Sequence, residues 1–495
     1  MQDRNTENLR ELAHGGQESM ERINNKNRKT GAFGEVRSRW KYRNENEEMT
    51  GAFVQSGVFR PLSLNIEEFS CDDIEVGNQN QGSTSGVPKL PSCCSIFRVP
   101  RSLMEIHPKA FQPQIVSIGP YHHGREHLQM IQQQKLQYLH AILARTQGVD
   151  FDDFCKSIAN EQKAMRECYS ESTDKYSDHD FIEMLVLDGC FIIELFLIVE
   201  KLVEPDLNDP IFNQPWILYS IMRDLLRLEN QIPFFVLQTL FELSKSTLRE
   251  VPSLTELILR FFHYIIRRPD EIRDKHKNQL DGEHLLHLFR SSFIPSSKLV
   301  PTGRKDLLQL IQPVEKLRVA GIEFKQPVET AESFLDIKFR RDHGVLEIPH
   351  LAIDDSISSL ILNCVALEQC YKHCSTHFTS YVIFMGCLIN TPVDAGYLRD
   401  HRIIENFFGT DTEVVKFFNE VGKDICFDIR QSYLAKLFED VNDHYRNVWH
   451  VRWAGFKHAY FDSPWTFISA IAALILLILT FIQAFFAVYG YVNPP

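Results

Sequence analysis

Two cysteines and two histidines close together in the sequence have side chains that bind zinc. Cys370, His373, Cys374 and His377 lie at positions i, i+3, i+4 and i+7. On a helix this spacing places all four on one face, and thiolate and imidazole groups suit zinc. Structural zinc sites, however, usually take their ligands from two chain segments. The simpler interpretation is two buried thiols beside surface histidines near a helix end, so we expect no bound metal here.

Paired histidines occur twice more. Residues 119–124 read GPYHHG, a turn whose adjacent histidines point in different directions and cannot easily share one ion. We interpret Tyr121 as an aromatic plug of this turn. His284 and His287 form an HxxH pattern, for which one surface histidine and one core-edge histidine are expected. Neither pair predicts a metal site.

Four acidic residues lie within largely apolar stretches, namely Asp188, Glu194, Asp224 and Glu229. Carboxylates on neighbouring core helices could act as a general acid and base. More often, such acids pair with Arg or Lys or accept hydrogen bonds from backbone N–H groups. An enzyme predicts a deep pocket lined by these acids or by the adjacent histidines of the turn. An interaction protein predicts that the acids are neutralised internally.

Familiar catalytic motifs are missing from the sequence. It contains no GxGxxG after a strand, no GxxxxGKS/T, no HExxH, no GxSxG and no pair of CxxC units. The sequence therefore predicts no catalytic residue, no cofactor and no enzymatic activity.

The last apolar stretch, from Phe467 to Tyr489, contains no charged residue, and Gln483 is its only strongly polar side chain. At about 1.5 Å of rise per residue, a helix of this length crosses the roughly 30 Å hydrocarbon core of a bilayer. A tryptophan precedes it and tyrosines lie at its far end, as is typical of membrane interfaces. The sequence therefore predicts a transmembrane helix within residues 464–491, followed by a short tail at 492–495.

Charge indicates how this anchor is oriented. Arg446, Arg452 and Lys457 precede the apolar stretch, whereas only VNPP follows it. Positive charge favours the cytosolic side, so we expect a cytosolic body on an unspecified membrane. No N-glycosylation acceptor occurs, and the 11 cysteines are expected to be reduced thiols. The net charge of −12 argues against nucleic-acid binding.

The rest of the chain divides by composition. Residues 1–90 are rich in polar residues and are predicted to be disordered. Residues 94–461 are predicted to be mostly helical, with a subdivision near 293–313. Residues 181–203 form the most apolar soluble helix, and its acids favour a core position over lipid. Further helices are predicted at about 126–145, 150–169, 216–244 with a break at Pro233, 354–374, 395–407 and 431–458.

Residues 321–349 change to the alternating pattern of strands. SFLDIKF and VLEIP flank the turn RRDHG, which predicts a small antiparallel hairpin, with GIEFK as a third strand. The fold class is therefore mainly α, with a helical body, a small antiparallel β-hairpin and one C-terminal transmembrane helix.

Several of these stretches together resemble a known plant family. They are CSIFRVP, QIVSIGPYHHG, MLVLDGCFIIELF, RDLLRLENQIPFFVL, GVLEIPHLAIDD, YLRDHRIIENFFG and YFDSPWTFISAIAALILLILTFIQ. They are similar, in order, to the family catalogued as domain of unknown function 247, from about Cys94 to Tyr489. The resemblance implies a plant protein with a C-terminal transmembrane helix and no established enzymatic activity. Certain grass members are associated with self-incompatibility, as candidate pollen-side recognition determinants. The family supplies no accepted catalytic residues.

Three functions remain open at this point. The first is a membrane-anchored protein-interaction or recognition module with protein partners. The second is an enzyme that uses core Asp, Glu and His groups. The third is a zinc-binding module at Cys370, His373, Cys374 and His377. The missing catalytic motifs favour the first.

Overall fold

The described part of the chain begins at Cys94. The computed structural model describes residues 94–146, 148–245, 248, 250–266, 268, 271, 280, 282–295, 309–423, 425–446 and 464–492. The chain divides into two units, Met1–Lys89 and Leu90–Pro495, and the described residues belong to the second. The predicted disordered region 1–90 and most of the predicted boundary at 293–313 lie outside the described residues.

The fold is mainly α-helical, as predicted, with two small sheets. The helices are α1 (Arg101–Ile106), α2 (Pro108–Phe111), α3 (Gln132–Arg145), α4 (Phe151–Ala159), α5 (Gln162–Glu167), α6 (Asp178–Val199), α7 (Pro210–Asn213), α8 (Pro215–Asp224), α9 (Phe234–Ser244), α10 (Leu254–Phe261), α11 (Leu285–Ser291), α12 (Val314–Val319), α13 (Asp355–Cys370), α14 (His377–Leu388), α15 (Pro392–Asp400), α16 (Asp411–Val421), α17 (Ala435–Arg446) and α18 (Pro464–Val492). Short 3₁₀ helices lie at Glu126–Ile131 and Phe262–Tyr264.

Helix α6 lies at the centre of the core and packs against α3, α4, α9 and α10. It begins where the Ser177 side chain accepts a hydrogen bond from the backbone N–H of Asp180, an N-cap that satisfies an otherwise free donor. A Cβ atom at Gly189 would lie 2.4 Å from Leu240 Cδ1, so glycine allows α9 to approach closely. The helix ends at Val199 because Lys201 adopts a left-handed φ of 58° and Leu202 N bonds Leu197 O.

The predicted hairpin is present. Strand β2 (Lys338–Arg340) pairs antiparallel with β3 (Val345–Glu347), and the predicted third strand, β1 (Glu323–Lys325), pairs parallel with β3 on its other side. The sheet order is therefore β1-β3-β2. A second sheet, which the sequence pattern did not predict, joins β4 (Leu351–Ile353) to β5 (Ile404–Asn406) in parallel.

Strand β5 corrects the predicted helix at 395–407. Helix α15 ends at Asp400, because Arg402 adopts a φ of 57° and Ile403 N donates to Leu398 O. This capping motif reverses the chain at the helix end, so residues 404–406 extend beside β4.

Other predicted helices are shorter than the periodicity indicated. The stretch 150–169 forms α4 and α5, and the stretch 216–244 forms α8 and α9 with non-helical residues before Pro233. The helix predicted for 431–458 is α17 in the described residues, and 447–458 lie outside them. These differences arise because apolar spacing continues through turns that are themselves buried.

Helix α18 contains the predicted membrane span. It has 29 residues, and side chains are described at 468, 469 and 471–485. Across the residues described for this protein, no helix meets both the length and the apolarity needed to cross a membrane.

Candidate functional site

The four predicted acids are buried, with side chains 0–6% exposed. They do not gather at one position. Each carboxylate instead meets its own set of donors, and three of them hold segments that precede α3. We refer to Asp188, Asp224, Glu229 and their partners as the polar core.

Asp188, on α6, forms an ion pair with Lys135 of α3. Lys135 Nζ lies 2.5 Å from Asp188 Oδ1 and also donates to the carbonyl oxygen of Ser117. The other carboxylate oxygen of Asp188 accepts from the backbone N–H of Gly119 at 2.7 Å. Both carboxylate oxygens therefore have a donor, and the pair joins two helices to Ser117 and Gly119, where the GPYHHG turn begins.

Asp224, at the end of α8, accepts from the N–H groups of Gln114, Ile115 and Val116 at 2.8–3.2 Å. Its Oδ1 also lies 2.9 Å from Nε of Arg227, which is fully buried. Burial lowers the pKa of Arg227, and the Asp224 carboxylate opposes that shift. In a sheet, the carbonyl groups of a neighbouring strand would accept hydrogen bonds from these three backbone N–H groups. Here the Asp224 carboxylate accepts them instead.

Glu229 holds the first described segment of the chain. Its Oε1 accepts from Val99 N at 2.9 Å, and its Oε2 lies 2.8 Å from Arg98 Nη1 and 3.2 Å from His122 Nε2. Burial raises the pKa of Glu229, but the contacts with His122, Val99 and Arg98 outweigh it and lower the pKa to about 2. Glu229 is therefore an ionised anchor for the polypeptide near Val99.

Glu194, also on α6, pairs with Arg145 at the end of α3. The guanidinium reaches both carboxylate oxygens, at 2.9 and 2.5 Å. This bidentate geometry fixes the two side chains in a plane. Like Asp188, Glu194 connects α3 to α6 and has its charge matched.

The GPYHHG turn is packed against the polar core. Gly119 has a φ of 70°, and a Cβ there would lie 2.5 Å from the Gln231 carbonyl oxygen, so only glycine fits. Tyr121 fills the turn, and its hydroxyl donates to Ile96 O at 3.2 Å. His122 is 1% exposed, and burial lowers its pKa. His123 is exposed and lies edge-on to Tyr176, so the adjacent histidines have separate surroundings.

The two histidines of the HxxH pattern, His284 and His287, contact different groups. His284 is fully buried, with Nε2 3.1 Å from Ser95 O and Nδ1 3.2 Å from Gln231 Oε1. Burial and the nearby His287 lower the pKa of His284 to about 3. His287 accepts from the backbone N–H of Glu283 at 3.2 Å. These contacts are typical of structural histidines.

The helix predicted at 354–374 ends earlier, so Cys370, His373, Cys374 and His377 do not share one helix face. Helix α13 ends at Cys370, since Tyr371 leaves the helical region with φ −102° and ψ 102°. Cys370 Sγ faces Arg98 O at 3.8 Å, whereas His377 begins α14 and stacks on Tyr433.

The protonation of the two thiols also differs from that in a preformed zinc site, where the cysteines are thiolates. Burial raises the pKa of Cys370 to about 11 and that of Cys374 to about 12. Burial and Arg290 lower the pKa of His377 to about 4. Within the part of the chain that the structure describes, the group of three His, Cys or carboxylate residues whose ligand atoms all lie within 4.8 Å of one another is His179, Asp180 and Glu183. That group is solvent-exposed or half-buried at the start of α6, and Asp180 already serves the Ser177 cap.

Sequence reasoning missed two buried amide side chains beside the polar core. Asn230 Oδ1 accepts from Ile118 N at 2.7 Å, and its Nδ2 donates to the carbonyls of Val116 and Asp224. Asn363 likewise accepts from Leu228 N at 2.9 Å. The sequence signal for these residues was an Asn within an apolar stretch. Such an amide is expected to be buried, and a buried amide must form hydrogen bonds.

A further buried ion pair was also missed. Arg290 on α11 lies against Glu368 on α13, with Nη2 2.5 Å from Oε1. Glu368 also accepts from the N–H groups of Phe378 and Thr379, at the start of α14. The carboxylate therefore caps one helix while it neutralises an arginine from another.

An open depression of about 700 Å³ lies on the surface between α5 and residues 168–178. Arg166 lies within it, and its guanidinium donates to the Thr173 carbonyl and to Asp178. None of the four predicted acids lines this depression. It is a surface feature apart from the polar core.

Comparison with known proteins places this chain in a family. The sequence model described as plant protein of unknown function, domain of unknown function 247, matches residues 96–479. UPF0481 protein At3g47200 of Arabidopsis thaliana is 40% identical over 425 residues, which cover 81% of this chain and 87% of that protein. Putative UPF0481 protein At3g02645 of the same plant is 23% identical over 489 residues, covering 80% and 90%. No solved structure is significantly similar. The chain therefore belongs to the plant family catalogued as domain of unknown function 247.

Proposed function

We propose that this protein is a membrane-anchored interaction module, with a helical body that binds other proteins and a C-terminal helix that holds it at a membrane. The internal pairing of the four acids carries the first half of this proposal. A general acid or base must exchange protons with a substrate, but these carboxylates are occupied by Lys, Arg and backbone N–H groups. They stabilise the fold and leave the surface for recognition.

Helix α18 supports the anchoring half of the proposal. Over its whole backbone, which includes residues whose side chains the structure does not describe, this helix of 29 residues extends about 44 Å at the usual helical rise, more than the roughly 30 Å of a bilayer core. The sequence from Phe467 to Tyr489 carries no charge. Such a helix satisfies its own backbone hydrogen bonds, which is the condition for crossing lipid.

The charge distribution supports a cytosolic body. Arg446, Arg452 and Lys457 lie shortly before α18, and residues 493–495 after it include no basic residue. Family membership supports plant partners, and the association of certain members with self-incompatibility supports a recognition role. The net charge of −12 disfavours nucleic acid as a partner.

The alternative function is a zinc-binding module at Cys370 and its neighbours. The metal content of the purified protein tests this alternative. Elemental analysis of the purified full chain, compared with a Cys370→Ser/Cys374→Ser double variant, separates the two functions. Equal and low zinc in both samples supports the interaction module. Stoichiometric zinc that the double variant loses favours the metal module.

The anchoring and orientation are tested with sealed plant microsomes that contain the full chain tagged at both ends. We expect the protein to resist alkaline carbonate extraction, the N-terminal tag to be digested without detergent, and the C-terminal tag to be protected. Release by carbonate overturns the anchor. Protection of the N-terminal tag in a carbonate-resistant protein overturns the cytosolic orientation alone, and partners are then sought on the lumenal or extracellular side.

A further inference from the structure

One side of α3, together with the end of the 3₁₀ helix that precedes it, carries no exposed Lys, Arg, Asp or Glu. Between Gln129 and Ala144 the exposed residues include no Lys, Arg, Asp or Glu, although charged residues make up 24% of the chain. Lys135, within this stretch, points inward and is 2% exposed. The α3 face consists of the exposed residues Gln129, Met130, Gln133, Leu136, Gln137, His140, Ala141 and Ala144.

The α3 face combines apolar contact area with self-complementary polar groups. Met130 is 45% exposed and Leu136 is 46% exposed, which is high for large apolar side chains on a helix. Between them lie glutamines, each of whose carboxamides both donates and accepts hydrogen bonds. The inner side of the same helix packs on α6, where Lys135 and Arg145 make their buried ion pairs.

We propose that the α3 face binds the α3 face of a second copy of this chain. Two copies of a protein with a net charge of −12 repel each other over most orientations, and an uncharged face avoids that repulsion. The carboxamides of the face both donate and accept hydrogen bonds, and the face carries no Lys, Arg, Asp or Glu, so pairing of two copies buries no such charge without a partner. A two-fold axis makes such a contact isologous, as in most homodimers.

An antiparallel arrangement fits the order of side chains along α3. With the two-fold axis near Gln137, Met130 of one copy lies opposite Ala144 of the other, so a large side chain meets a small one. Leu136 then lies close to the axis, next to the same residue of the second copy. Substitutions at Leu136 therefore act twice in each dimer.

The α3 face is too small to form a stable dimer in dilute solution. Helix α3 has 14 residues and is about 21 Å long, and two such helices bury less than the roughly 1,200–2,000 Å² of a stable interface. Confinement on one membrane raises the effective concentration of the two copies. This step rests on the proposed membrane anchor, so pairing is expected on membranes and not in dilute detergent.

Photo-crosslinking of the full chain in plant membranes tests the contact directly. A photoreactive amino acid at Gln137 is expected to give a dimer-sized product whose crosslinked peptides both come from α3. The same amino acid at Lys163, whose side chain is 92% exposed on α5, is the matched control and is expected to give none. A product at Gln137 that contains a different protein overturns the proposal, because the face then belongs to another partner.

A pair of charge substitutions tests the energetics. Leu136→Glu places two carboxylates near the axis, and we expect about tenfold weaker pairing by energy transfer between differently labelled full chains. Leu207→Glu, at a residue 93% exposed in a loop, is expected to leave pairing unchanged. Equal pairing in the two variants, or no pairing in the unsubstituted protein, overturns the proposal.

Failure of the anchor is distinguished from failure of the contact. If carbonate releases the full chain from membranes, the released protein is concentrated and examined by sedimentation velocity. A dimer that Leu136→Glu weakens and Leu207→Glu does not then supports the contact without the anchor. A monomer at the highest soluble concentration overturns it.

Discussion

The side chains of Gln231 and His284 meet in the interior, where Gln231 Oε1 lies 3.2 Å from His284 Nδ1. The same Oε1 accepts from the backbone N–H of Leu286, at the start of α11. The other ring nitrogen of His284, Nε2, lies 3.1 Å from the carbonyl oxygen of Ser95. One amide side chain therefore connects residues after α8 to the start of α11 and, through His284, to the first described segment.

Replacing Gln231 with Leu is expected to lower the free energy of unfolding by about 3 kcal/mol, because it leaves the Leu286 N–H and the Leu225 carbonyl buried without this partner. Gln238→Leu is the control, since its amide bonds only the nearby Glu242 on the surface of α9. Urea unfolding of the full chain in detergent, followed by circular dichroism, measures the difference. Equal stability of the two variants contradicts the bridging role of Gln231.

Lys135→Met is expected to cost about 3–5 kcal/mol of stability, because Asp188 then remains buried without its cation. The same urea titration measures this loss in the free energy of unfolding. Lys163→Met removes a lysine whose side chain is 92% exposed, and we expect little change. A small effect at Lys135 would mean that water or another cation reaches Asp188.

Gly119→Ala and Gly124→Ala separate backbone strain from steric contact. Both glycines have a positive φ, of 70° and 83°, so each substitution costs about 1 kcal/mol through the backbone. At Gly119 the added Cβ also meets the Gln231 carbonyl at 2.5 Å, whereas nothing lies within 4 Å at Gly124. We therefore expect Gly119→Ala to lower the thermal unfolding temperature much further, with a total loss of about 3 kcal/mol. Similar shifts for both variants contradict the close approach to Gln231.

Acid is expected to destabilise the protein through Glu229. Its folded pKa is lowered to about 2, and in the unfolded chain it returns to about 4.3. A lowered carboxyl pKa contributes stability that is present above the unfolded value and lost as the pH falls through the folded value. Between about pH 5 and pH 2 this amounts to about 3 kcal/mol.

The comparison of Glu229→Gln with Glu171→Gln tests this pH dependence. Glu229→Gln is expected to be less stable than the unsubstituted protein at neutral pH and to lose less stability on acidification. Glu171 binds the same Arg98 but has a side chain 56% exposed, so its substitution should leave the acid profile nearly unchanged. Parallel acid profiles for all three proteins contradict the role assigned to Glu229.

The family resemblance and the mainly helical fold were readable from the sequence, as was the β2–β3 hairpin, because period and turn chemistry are local properties. The four acids were also found, since acids in apolar stretches are conspicuous. Their pairing with cations and backbone N–H groups was also expected, but the distant partners could not be identified, because these donors lie far away in the chain. Asp224 meets Ile115 across 109 residues, and Glu229 meets Val99 across 130.

The sequence by itself determined that the fold is mainly helical, that α6 belongs in the core, and that residues 467–489 carry no charge. Tertiary structure decided that α13 ends at Cys370, that residues 404–406 extend beside β4, and which backbone N–H each carboxylate meets. Helical periodicity depends on neighbours three and four residues apart. Ion pairs and capping contacts depend on groups brought together by packing, so the polar core became visible only in the folded chain.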